Sequence, residues 1–248
     1  MQAVSVLRFL ATQARPVPAA AIARALELPR STTYHLLDTL AREGFVVHIP
    51  AERRYGLGLS AYELGTGYSR QAPLQRLARL PLSRLVDRSG HNGHLAVLHG
   101  REVVYVIEER ARGRAPLVTD VGVRLPAALT ASGRAILAAL PSAQLRALYP
   151  DTGAFVLRNE SGPSSLSALR ALLVDTRRNG YADEDDAITP GFSSVGAAVL
   201  DHTGHPVAAV ALTFPGDQVD ADRRALLGRR VTRTAREIGL RFSVQPPN

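Results

Sequence analysis

A helical run of apolar side chains that ends on a glycine and passes at once into a strand, a turn and a second strand sets the tightest limit on this fold. Thr33, Leu36, Leu37 and Leu40 follow the i, i+3, i+4, i+7 rule of a one-sided helix. Pro29 stands near its start, where proline is tolerated, and Gly44 stands where a left-handed C-terminal cap is expected. Residues 45–49 then read as a strand, 50–53 as a turn and 54–57 as a returning strand. Upstream, Val4, Leu7, Leu10 and Ala11 fit one helical face, and Ile22, Ala23 and Leu26 mark a shorter helix after Pro16 and Pro18. Helix, turn, helix and a two-stranded wing in one short segment is the winged form of a helix-turn-helix.

Charge points the same way. The chain has 248 residues and a formal net charge of +8, carried by 30 basic residues against 22 acidic ones. Every basic residue is arginine. A biased codon usage explains that choice but not its placement. Residues 1–90 hold 12 Arg and 6 acids, whereas residues 91–248 hold 18 and 16. One end is therefore suited to a polyanion and the other is nearly neutral. Hydrophobic residues at 46% and charged residues at 21% exclude a mainly disordered chain. There is no cysteine, so disulfides, thiolate metal sites and cysteine nucleophiles are excluded. No apolar run reaches the ~20 residues that span a bilayer. Arg8 interrupts the first apolar stretch, and no small-residue cleavage site follows. A cytoplasmic protein without membrane contact is expected.

Residues 60–90 read as one or two helices between the halves. Pro81 predicts a kink or restart, and Gly90 an end. Beyond them, residues 94–99 and 102–108 flank a Gly100-Arg101 turn, and 195–200 and 207–214 flank a second turn, giving two hairpins. Residues 131–140, 165–179 and a stretch from Asp220 carry helical patterns. Hairpins with segregated helices predict an α+β fold. The expected domains are 1–60, a winged helix-turn-helix; 61–90, linker helices; and 91–248, an α+β domain.

On the third helix, the face opposite the apolar stripe shows Arg30, Ser31, Thr32, Tyr34, His35 and Asp38. The Arg, Ser and Thr side chains of its first turn donate to phosphates and base edges in a major groove. Arg53 and Arg54, at the wing tip, are placed for the DNA backbone or the minor groove. Two plainer readings stand beside this one. Ser-Thr-Thr at a helix start is commonly a cap, and small three-helix units also serve as protein-protein modules.

The run Leu28-Pro29-Arg30-Ser31-Thr32-Thr33-Tyr34-His35-Leu36-Leu37-Asp38-Thr39-Leu40, then Glu43-Gly44-Phe45-Val46 and Arg54-Tyr55-Gly56-Leu57-Gly58, resembles the DNA-binding domain of IclR-type bacterial transcriptional regulators. Ala78-Arg79-Leu80-Pro81-Leu82, His94-Leu95-Ala96-Val97-Leu98, Leu125-Pro126, Thr130-Ala131-Ser132-Gly133-Arg134-Ala135, Gly180-Tyr181-Ala182, Pro190-Gly191 and SVGAAVLDHTGHPVAAVALTF at 194–214 extend the resemblance in order over nearly the whole chain. It implies a GAF-like C-terminal domain, an antiparallel sheet flanked by helices, that binds a small organic or aromatic acid. It also implies a double-stranded DNA operator, a homodimer or homotetramer, repression rather than activation, and no cofactor.

Thr130-Ala131-Ser132-Gly133 precedes a helix, whose N-terminal N–H groups attract anions, so Ser132 and Gly133 are candidates to face a carboxylate. By matched position, the resemblance adds Glu184, Phe192, Ser194, Ala211 and Thr213 to the effector site. Ser194 stands where many members have cysteine, Ala211 where some have serine, Thr189 for a frequent glutamate and Ala128 for a frequent histidine. His94 and His99 differ by an odd number along a strand and point to opposite faces, so no metal site is expected. The run 183–186 reads as a solvated acidic loop, with only Glu184 singled out by position. No nucleophile elbow, phosphate-binding loop or dinucleotide fingerprint is present. The competing reading is a small-molecule-processing enzyme with an N-terminal dimerisation module.

Overall fold

The computed structural model describes residues 2–64, 73–113, 120–158 and 162–244. The chain divides into two compact units, residues 1–72 and 73–248.

In the first unit, α1 (Gln2–Ala11), α2 (Ala19–Ala25) and α3 (Arg30–Arg42) precede the strands β1 (Val46–Ile49) and β2 (Arg54–Leu57). Val6, Leu10, Ile22, Leu37, Leu40 and Val46 form its core. The buried face of α1 differs from the expected one: Val4 is 55% exposed, while Val6 is fully buried beside Leu10. Both choices satisfy a helical period, and contact with α3 selects one. Gly44 takes the left-handed conformation, φ +73°. The wing pairs in antiparallel register from Val46↔Leu57 to Ile49↔Arg54. It is tied to the α1–α2 connection by reciprocal backbone bonds between Val17 and Tyr55, 2.9 and 2.8 Å.

In the second unit, α4 (Pro73–Ser89) leads into β3 (Asn92–His99), β4 (Glu102–Glu109), β5 (Arg124–Pro126), α5 (Ala131–Ala139), α6 (Ser142–Leu148), α7 (Leu166–Asn179), β6 (Ala182–Asp185), β7 (Phe192–Leu200), β8 (Pro206–Pro215) and α8 (Ala221–Val244). The strands form one antiparallel sheet in the order β5-β4-β3-β8-β7-β6. Two apolar layers cover it. Leu82, Val86, Val231 and Ile238 of α4 and α8 pack on one face with Leu95, Val195, Val210 and Leu212. Ala135, Ile136, Leu169 and Leu173 of α5 and α7 pack on the other with Ala96, Val103 and Ala209. The expected α+β class with antiparallel hairpins is what the chain forms.

Three expectations are corrected. The break at Pro81 does not occur: α4 is one helix with Pro81 buried inside it. Ala78, Leu82, Leu85 and Val86 around it are buried against the sheet, and that burial offsets the missing hydrogen bond. From residue 73 the expected linker of 61–90 therefore packs as part of the second unit, while its residues 65–72 lie outside the described ones. The acidic run at 183–186 is largely strand, β6, in which Glu184 points inward and Asp183 outward. The short elements β5 and α6 had no periodic signal in the sequence.

Candidate functional site

Two regions hold the side chains singled out in the sequence. On α3, Arg30, Ser31, Tyr34 and His35 are exposed and Thr32 is half-buried, while Thr33, Leu37 and Leu40 are buried. The capping reading of Ser-Thr-Thr fails. The N-cap is Pro29, no side chain caps the helix, and the Thr33 hydroxyl donates back to the Pro29 carbonyl at 3.0 Å. Ser31 and Thr32 thus have no capping duty.

The two wing arginines differ. Arg53 takes a left-handed conformation, φ +53°, in the turn. Its exposed side chain has no hydrogen bond or ion pair among the described residues. Arg54 Nη1 donates to the Pro16 carbonyl at 2.9 Å, and its Nε lies 3.9 Å from Glu52 Oε2. Arg54 therefore braces the wing against the connection between α1 and α2, besides presenting charge.

In the second unit, the first turn of α5 rests on the sheet because two glycines permit it. A Cβ at Gly196 would lie 2.8 Å from the Ala131 carbonyl carbon, and one at Gly133 would lie 2.2 Å from the Ala127 carbonyl oxygen. Where α5 meets the sheet, a small cavity is lined by Ser132, Glu184, Phe192, Ser194, Ala211 and Thr213, together with His94, Tyr105, Thr130, Ala131, Ile188 and Thr189. Strand parity gathers them. His94 pairs with Ala211, which pairs with Gly196, and Thr213 pairs with Ser194, which pairs with Glu184.

Six of the seven expected effector residues are thus brought together, and Gly133 is not. Its N–H is taken by the Thr130 hydroxyl at 2.9 Å, and its missing side chain serves packing on Ala127. The first-turn N–H groups of Ala131 and Ser132 have no partner within the helix by geometry. Ala128 lies outside the lining and accepts from Arg134 Nε at 2.9 Å instead.

The cavity has an acceptor end and a donor end. Glu184 is 4% exposed and its Oε1 accepts from the N–H groups of Ala187 and Ile188 at 2.7 and 3.3 Å. Burial raises its pKa, while those bonds, Arg134 and a bond to Ser194 pull it back. Burial lowers His94 to about 4, so its imidazole is neutral at pH 7. Its ring meets the Tyr105 ring edge-on, 5.4 Å between centroids. The Tyr105 hydroxyl, whose pKa burial raises, is bonded to Ser132. Ser194 Oγ and Thr213 Oγ1 are 3.0 Å apart. Sequence reasoning weighed His94 only as a metal ligand and missed Tyr105 and Ile188. Strand pairing carried the missing signal, and it is not readable before the strand order is known. Among the described residues no group of three His, Asp or Glu side chains converges as for a metal ion, and no helix is long and apolar enough to cross a membrane.

A winged helix-turn-helix with an outward basic helix start, followed by an α+β domain enclosing a polar cavity, defines the class of ligand-responsive DNA-binding proteins. Residues 1–50 match the IclR helix-turn-helix domain, and residues 66–240 match the bacterial transcriptional regulator IclR C-terminal domain. The chain belongs to the IclR family and is a DNA-binding transcriptional regulator with a C-terminal effector domain. It is similar to the HTH-type transcriptional repressor AllR of Salmonella paratyphi A, at 26% identity over 98% of this chain and 89% of that protein. It is 33% identical to the glycerol operon regulatory protein of Streptomyces coelicolor, over 86% and 82% of the two chains. In fold it resembles an IclR homologue from Microbacterium hydrocarbonoxydans solved with 4-hydroxybenzoate, with a TM-score of 0.82, 22% identity and 98% coverage of both chains.

Proposed function

We propose that this regulator is a cytoplasmic repressor that reads a pseudo-palindromic operator as a homodimer or homotetramer and is released by a small organic acid. The α3 surface carries the reading: Arg30, Ser31, Tyr34 and His35 face outward, and no capping role explains Ser31 and Thr32. Arg30 and its neighbours meet base edges, and Arg53 meets phosphate. The acid sits between the α5 N-terminus and Glu184, its carboxylate towards Ala131 and Ser132 and a hydroxyl or amide donating to Glu184. A small hydroxy acid suits both ends, and the cavity, about 20 Å³, must widen to take a ring such as that of the 4-hydroxybenzoate bound by the Microbacterium homologue. Neutral His94 and the Tyr105, Ser194 and Thr213 hydroxyls bind rather than transform, which favours a regulator over an enzyme. Turnover of a bound acid would overturn that part.

Arg30→Ala should weaken operator binding by about 1–3 kcal/mol and relax sequence preference at one position of each half-site, as read in a mobility-shift titration. Unchanged affinity and preference would end the assignment of α3. Arg53→Ala should weaken binding to all sequences alike and reduce the slope of log affinity against log salt by about one. An unaltered slope would remove the wing from the phosphate contact. Arg54→Ala should also lower the stability of the N-terminal unit, because the Pro16 carbonyl loses its donor.

A further inference from the structure

We propose that the C-terminal unit holds a second ligand site, for an anionic amphiphile, where its sheet lacks a strand. β6 pairs with β7 only over residues 193–196. Beyond Gly196, residues 197–200 have β8 on one side and, among the described residues, no strand on the other.

The helices on the two faces leave this edge open because they are small there. Ala135, Ala138 and Ala139 form one side of α5, and Gly239 stands on α8. A Cβ at Gly239 would lie 2.4 Å from the Leu200 carbonyl oxygen, so α8 comes as close to the strand as backbone allows. The result is a cavity of about 630 Å³, within the range of small-molecule sites. Its walls are largely apolar, continued outward by Leu240, which is 71% exposed.

The rim sets the class of occupant. Arg177 and Arg236 both line the cavity. Arg177 donates through Nε to the Ala138 carbonyl at 2.8 Å, and its two terminal nitrogens have no partner among the described residues. Arg236 has no hydrogen bond or ion pair among the described residues. The one acid in the lining, Asp201, keeps its negative charge but is turned to its own loop through Oδ1, which accepts from the N–H groups of Thr203 and His205 and from the Thr203 hydroxyl, and the two guanidinium groups outnumber it. Two guanidinium groups over an apolar hollow suit a carboxylate or sulfonate on an aromatic or aliphatic body. The α5 helix borders both cavities, with its first turn at the effector cavity and its last turns here.

The test is a fluorescence titration of the full-length protein with 1-anilinonaphthalene-8-sulfonate, an anionic aromatic probe. One saturable site per chain is expected, displaced by octanoate and not by octanol. Replacing both Arg177 and Arg236 with Ala should weaken the probe at least tenfold. Ala139→Phe, which fills the hollow at a half-buried position, should abolish saturation. Should that variant fail to fold, the arginine pair, on exposed side chains, decides alone. No saturable binding, equal displacement by octanol, or unchanged affinity in the arginine variant would each overturn the proposal. None of these readouts involves DNA or Glu184, so failure here is distinct from failure of the effector assignment.

Discussion

Gly133→Ala should lower the stability of the C-terminal unit by about 3–5 kcal/mol, the range of severe backbone clashes, and its melting temperature by roughly 10 °C. The added Cβ would stand 2.2 Å from the Ala127 carbonyl oxygen and 2.4 Å from its Cα, and neither is the end of a flexible side chain. Relief requires α5 to retreat from residues 127–129. Gly196 shows how little room there is behind it, since the same first turn already touches β7 there. The Thr130 cap on the Gly133 N–H would be strained by the same movement. Thermal unfolding of the variant reads the effect, and a change under 1 kcal/mol would show that the α5 N-terminus is not fixed against the sheet. On that outcome Gly133, expected from sequence to touch an effector, would act instead by keeping the cavity beside α5 in shape.

Acidification from pH 7 to pH 4 should remove about 3 kcal/mol of stability through His94 alone. The folded protein holds this imidazole near 4 against an ordinary 6.5, entirely by burial. A base with a depressed pKa favours the neutral form in the folded state. Its contribution is complete above pH 6.5 and disappears as the pH falls towards 4. Glu184 runs the other way. Its raised pKa makes its contribution greatest at low pH and smaller as the pH rises past the ordinary carboxylate range. The two must therefore be separated by difference. Urea unfolding of the wild type and of His94→Gln, measured at several pH values, should give curves that converge as the pH falls. Parallel curves would mean that His94 keeps its ordinary pKa in the folded protein, and the cavity would then turn cationic as the pH falls below about 6.5.

Elements whose cause is local are legible in the order of residues. The apolar period of α3, its stop at Gly44, the wing turn and both hairpins follow from neighbouring residues and from the conformations glycine and proline permit. The positive bias of the first 90 residues is also a property of the chain alone. Tertiary structure decided whatever depends on partners distant in sequence. Val6 is buried in place of Val4 because α3 lies on one side of α1. Pro81 stays inside a helix because the sheet holds both halves of α4. Arg54 turns to Pro16, 38 residues away. The cavity joins residues 94, 105, 132, 184, 194 and 213 only because β8 inserts between β3 and β7. Period and propensity act over a few residues, whereas strand order and burial are properties of the packed chain, and a binding site is made of the latter.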